Sequence, residues 1–133
     1  MSQSNEFHTA TVQLPTGVAT AGTDGDIYVP NRLGGKAKVV NVDFIAEAAI
    51  TANNSNNATF TVTVGGTSLG SIVSTVAGTG DITAGVNEPI TLSAAGSNLL
   101  AEGGLVKVAI TKAGSGVAVT GVCAVTLQRV RAD

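Results

Sequence analysis

His8 and Cys123 are the chain's only imidazole and thiol, and they lie near opposite ends of 133 residues. Proton transfer and nucleophilic attack need such groups beside a partner that activates them. Cys123 falls in GVCAVTL, an alternating apolar run, which makes it a small core residue with a raised thiol pKa rather than a nucleophile. Ser115 sits between Gly114 and Gly116, a hairpin-type turn without the strand-to-helix context of a nucleophile elbow. Zinc would require clustered Cys and His ligands, and the chain offers one of each. Asp24 and Asp26 flank Gly25 in TDGD, but the bidentate Glu of a calcium loop is missing, so the stretch reads as a solvated turn. VGGTSLG joins two β runs instead of opening a phosphate-cradling helix. The expectation is a protein without catalytic residues, metal, cofactor or small-molecule substrate.

The asparagine cluster in AAITANNSNNATFTVTV poses the remaining chemical question. Asn53-Asn54-Ser55 and Asn57-Ala58-Thr59 match the N-glycan acceptor pattern, which matters only in a secreted chain. A sugar site would pair these amides with an aromatic platform, and no Trp or Tyr lies nearby. Asparagine tolerates left-handed backbone and bonds its own turn, so a loop is the better reading.

Composition points toward assembly. Apolar residues make up 44 % of the chain and aromatics only 3 %, so the core must be built from Ala, Val, Ile and Leu. Such side chains bury little area each, which favours stability drawn from neighbouring subunits. Charged residues are 12 %, with none from Ala48 to Gly80. Two readings follow: surfaces covered by other protein, or a neutral threonine-rich face in water. The net charge of −2 and cations scattered along the chain exclude a nucleic-acid partner on sequence grounds. No run approaches the ~18 apolar residues of a membrane span. MSQSNEFHTA lacks a signal-peptide pattern, so a cytoplasmic product is expected.

These residues are carried on strands, because the apolar period is two nearly everywhere. In KAKVVNVDFIAEAAI, alternation sets Val40, Val42, Phe44 and Ala46 on one face and Val39, Asn41, Asp43 and Ile45 on the other. ATFTVTV places Phe60, Val62 and Val64 inward. LVKVAIT does the same for Val106, Val108 and Ile110. In the long C-terminal run Val119, Cys123, Val125 and Leu127 share one face, and Val122, Ala124 and Val130 the other. Glycine-rich turns at 65–66, 77–80, 84–89, 102–104 and 113–116 punctuate the runs, predicting an all-β antiparallel sandwich. SAAGSNLLAEGG has room for one helical turn at most. Residues 1–35, interrupted by Pro15 and Pro30, read either as an extended N-terminal arm or as edge strands. The sandwich domain itself spans 36–133.

The succession VVNVDFIAEAAITA, ATFTVTV, ITLSAAGSNLLAEGGLVKVAI and VTGVCAVTLQRV resembles the small capsid decoration (cement) proteins of tailed bacteriophages over roughly residues 36 to 130. The resemblance implies a jelly-roll sandwich and a homotrimer on the outer capsid surface, assembled in the host cytoplasm. It also implies a structural role, bridging neighbouring major capsid proteins against internal pressure. On that reading the larger side chains of the arm, Phe7, Leu14, Tyr28 and Arg32, are candidates for capsid contact. Val122, Ala124 and Val130 are candidates for the trimer interface. The alternative is a receptor-binding or fibre module of a tail or head spike, whose contacts would fall on the asparagine loop. A bacterial surface or pilus-like subunit is a third reading, disfavoured by the missing signal peptide.

Overall fold

A computed structural model describes residues 6–76, 80–93 and 98–130. The turn signal at 77–79 and the candidate helical turn around Gly96 fall outside them. Among the described residues nine strands follow in chain order: β1 (Phe7–Gln13), β2 (Gly25–Pro30), β3 (Ala37–Ala46), β4 (Asn57–Val64), β5 (Thr67–Val73), β6 (Asn87–Pro89), β7 (Leu99–Leu100), β8 (Leu105–Ala113) and β9 (Gly121–Arg129). One turn of 3₁₀ helix, Thr16–Ala19, joins β1 to β2. No described helix is long and apolar enough to cross a membrane.

Two antiparallel sheets result. One runs β1-β9-β3-β6, with β7 also on β3; the other runs β2-β8-β4-β5. The pairing is nested. The first strand pairs with the last, the second with the last but one, β3 with β6 and β7, and β4 with β5 across a two-residue turn. That turn is Gly65-Gly66, both at positive φ (58° and 83°), the conformation whose twist suits a hairpin and which glycine adopts without a Cβ clash. Residues 6–35 therefore supply one edge strand of each sheet; the described part of an expected arm is β1 and β2. Each pairs along its full length with β9 or β8, and that ladder leaves no free-lying segment among these strands.

Alternation places the inner faces. Phe60, Val62, Val106, Val108, Ile110, Cys123, Val125 and Leu127 are all buried, as their period predicts. The two sheets meet at Phe44 and Phe60, whose rings stack with centroids 4.4 Å apart. β3 departs from simple alternation. Val39 pairs with Leu127 and Asn41 with Thr126, so Val40 is an extra residue in a bulge. The inward set becomes Ala37, Val39, Val42, Phe44 and Ala46, correcting the assignment of Val39 and Val40. Asn98 completes the bulge: its carbonyl accepts from Val39 N at 3.0 Å and its amide donates to Val39 O at 3.1 Å.

The bulge is testable by a pair of like substitutions. Val39→Thr buries a hydroxyl and should lower unfolding stability by about 1–3 kcal/mol. Val40→Thr should stay within about 0.5 kcal/mol. Urea denaturation reads both, and the reverse order would restore unbroken alternation.

Candidate binding surface

The side chains with chemical potential do not converge. His8 is exposed on edge strand β1, paired in register with Leu127. Cys123 is fully buried on β9, and burial together with the nearby Asp43 carboxylate pushes its thiol up to about 12. Asp24 Oδ1 accepts from Lys112 N at 2.7 Å, while Asp26 stands 3.9 Å from Lys107 Nζ, so the two carboxylates serve different partners. Among the described residues no group of three His, Cys, Asp or Glu could hold a metal. A depression of about 200 Å³ is lined by Gln13, Leu14, Pro15, Thr16, Ala19, Glu47 and Val119–Gly121, with Glu47 its one ionisable group.

The asparagine cluster is engaged with backbone. Asn53 Oδ1 accepts from Ser55 N and Asn56 N at 2.8 Å each, an Asx-type turn. Asn54 Oδ1 accepts from Val76 N, and Asn56 Oδ1 accepts from Ser115 N. Asn57 is buried and its amide donates to the carbonyls of Asn53 and Asn54. The loop thus knots one end of the sandwich to the β8–β9 turn, where a Cβ on Gly114 would overlap the Ser55 carbonyl.

Lys112 performs the same task with a charge. Its ammonium lies 2.7–3.1 Å from four carbonyl oxygens, those of Val18, Thr20, Ala21 and Val117. Burial lowers its pKa from the ordinary lysine value, and Asp24 opposes the shift. At the other end buried Asn31 bonds the carbonyls of Gly35, Leu100 and Ala101 through Nδ2 and accepts from Leu33 N through Oδ1. Neither residue stands out in the sequence, because a lysine in an alternating strand reads as solvated and a lone Asn after Pro as a turn.

What remains for function is surface. On the outer face of the first sheet, register sets Thr11 and Gln13 beside Ala124 and Val122, and these beside Asp43 and Ile45. Val122 and Ala124 therefore share this face, half-buried by their neighbours; Val130 lies beyond the far end of β9, away from both. Of the capsid-contact candidates, Phe7, Tyr28 and Arg32 are exposed. All three stand at the end where β2 hands over to β3. Leu14 belongs elsewhere: it is a core residue at the opposite end, held by Leu14 N donating to Gly121 O. Its burial removes it as a contact.

The cations are also collected, against the scattered impression of the chain. Arg32, Lys36, Lys38, Lys107 and Arg129 lie at or near the same end as Phe7 and Tyr28, leaving only Lys112 of the described cations at the other. No protein-family model matches the chain, and no curated protein matches it.

Three measurements check this account. Lys112→Met takes the ammonium away from four carbonyls, of which those of Val18 and Thr20 keep the amides of Val119 and Thr23, and should cost about 1–2 kcal/mol in urea unfolding. Lys107→Met, at an exposed pair, should change stability by less than about 0.5 kcal/mol. For Cys123, whose folded pKa lies above its unfolded value, the folded state holds the proton that the unfolded state releases between about pH 9 and 12. Native stability contributed by this group therefore falls as pH rises through that window, and Cys123→Ala should flatten the alkaline slope. The native thiol should stay inert to a disulfide reagent at pH 8 and react on unfolding; rapid native labelling would contradict its placement.

Proposed function

We propose that the protein is a non-enzymatic capsid decoration (cement) protein of the tailed-bacteriophage kind. It would be a jelly-roll sandwich that sits as a homotrimer on the outer surface of the head and bridges neighbouring major capsid proteins. The nested strand pairing supports the jelly-roll part, with β6 and β7 as two pieces of one interrupted edge strand. The observation that carries the function is the outer face of the first sheet. Across β1, β9 and β3 its residues are Thr, Gln, Ala, Val, Asn, Ile and Phe7, and only Lys38 and Asp43 bear charge. A soluble monomer ordinarily mixes far more charge into such a face, whereas the centres of protein–protein interfaces are depleted of it. Val122, Ala124 and Ile45 form its apolar centre and are our choice for the subunit contact.

Among the described residues the thiol is buried and protonated and the carboxylates are dispersed, which agrees with a mechanical role. A receptor-binding or fibre role would rest on the asparagine loop, and the amides of that loop already hold backbone groups.

Heads of the parent phage made without this protein provide the test. Added protein should bind saturably at regular lattice positions by cryo-electron microscopy and raise the temperature of head rupture; no binding, or an unchanged rupture temperature, would sink the proposal. Sedimentation equilibrium at about 10 µM should give a trimer, and Val122→Lys with Ala124→Lys a monomer. A monomeric wild-type chain would remove the trimer from the reading.

A further inference from the structure

The end of the sandwich that carries the cations also carries exposed large apolar side chains, and the two kinds alternate. On the outer face of the first sheet, one cross-strand row reads Phe7, Gln128, Lys38, Leu99. On the outer face of the second sheet, Tyr28 pairs with Lys107, and Leu105 stands two residues from Lys107 opposite Pro30. Each face thus presents one aromatic, one lysine and one leucine. The four apolar side chains are 47–58 % exposed. Between the faces, the β2–β3 connection adds exposed Arg32 and Lys36.

We infer that this end is a two-sided docking wedge, each face taking an acidic protein surface that also offers aromatic or aliphatic side chains. The claim that the two surfaces belong to neighbouring capsid subunits rests on the decoration reading; the docking chemistry of each face does not. Charge complementarity names the partner. Aromatic residues and arginine dominate protein-binding hot spots, and a lysine beside an exposed ring steers a carboxylate to it. A polyanion fits less well. The carboxylates of Glu6, Asp26 and Glu102 lie among these cations, the chain is net negative, and a phosphate backbone would leave the four exposed apolar side chains unused. A second copy docked by its acidic end, with Asp24, Glu47, Asp81 and Glu88, would offer carboxylates in a head-to-tail contact, and the test below separates that partner from another protein.

The probe is a soluble peptide of alternating Glu and Tyr, titrated into the labelled full chain and followed by amide NMR. Two separate groups of resonances should shift, one around Phe7, Lys38 and Leu99, the other around Tyr28, Leu105 and Lys107, and both shifts should weaken in salt. Phe7→Ser with Lys38→Glu should abolish the first group alone, and Tyr28→Ser with Lys107→Glu the second alone, each raising that face's Kd at least ten-fold. All four positions are exposed or half-buried, and unchanged spectra elsewhere report that the variants fold. Shifts confined to the Asn53–Asn57 end, or none at the two faces, would overturn the inference. So would tighter binding of an oligo-dT of matched charge. Concentration-dependent growth in sedimentation, lost on Asp81→Lys with Glu88→Lys, would replace the partner by a second copy and overturn it likewise.

Discussion

The stacked pair Phe44 and Phe60 is the contact on which the sandwich depends. Sheets pack about 10 Å apart, and that gap has to be filled by side chains that are mostly Val, Ala, Ile and Leu. Only two aromatic rings reach the core, one from the middle of each sheet, and they meet face to face at 4.4 Å with 28° between their planes. Each ring buries more area than any aliphatic neighbour, and the pair adds an orientation preference that methyl groups lack. The smaller residues pack around this centre as one continuous cluster.

The core reaches both ends of the sandwich, with Leu14 and Val18 at one and Leu100 at the other, and polar side chains close over it there. Lys112 and the asparagine loop tie one end; Asn31 ties the other. Buried Ser74 links into the same system, its hydroxyl accepting from Ala58 N. No buried side-chain nitrogen or oxygen among the described residues lacks a partner. These bonds matter less for their net energy than for the penalty of breaking them, since each removed partner strands a buried polar group. The open side between β5 and β6 is handled by close approach: Ser93 N donates to Leu69 O, and Gly70 leaves room for the Thr91 carbonyl, which any Cβ would overlap. Loops held in this way are pre-organised, so a surface built on them loses little conformational freedom when a partner docks.

Much of this was readable from residue order. The period of two placed Phe60, Val62, Val106, Val108, Ile110 and Cys123 on inner faces, because a strand buried on one side admits no other arrangement. It failed at Val39 and Val40, where a bulge inserts one residue. Two adjacent valines give no hint of which one the extra position is. In sequence Leu14 reads as a contact because it is one of the larger side chains of the N-terminal segment, with Phe7, Tyr28 and Arg32. Its burial depends on the chain turning in under Gly121. The asparagine loop was correctly a loop, yet its partners at Val76 and Ser115 are distant in sequence and had no signal of their own.

The sequence by itself determined the all-β class, the inner face of each regular strand, and the absence of aromatic bulk that makes Phe44 and Phe60 decisive. These are local properties, set by alternation and composition. Tertiary structure alone decided where charge and exposed apolar area gather. Arg32, Lys107 and Arg129 are far apart along the chain, and Phe7 reaches Lys38 only because both strands pair with β9. Non-local pairing in a nested fold brings the start of β1, the end of β9 and the junctions of β2 with β3 and β7 with β8 to one end. The poles of the molecule follow from register, and register is a property of strands that have already met.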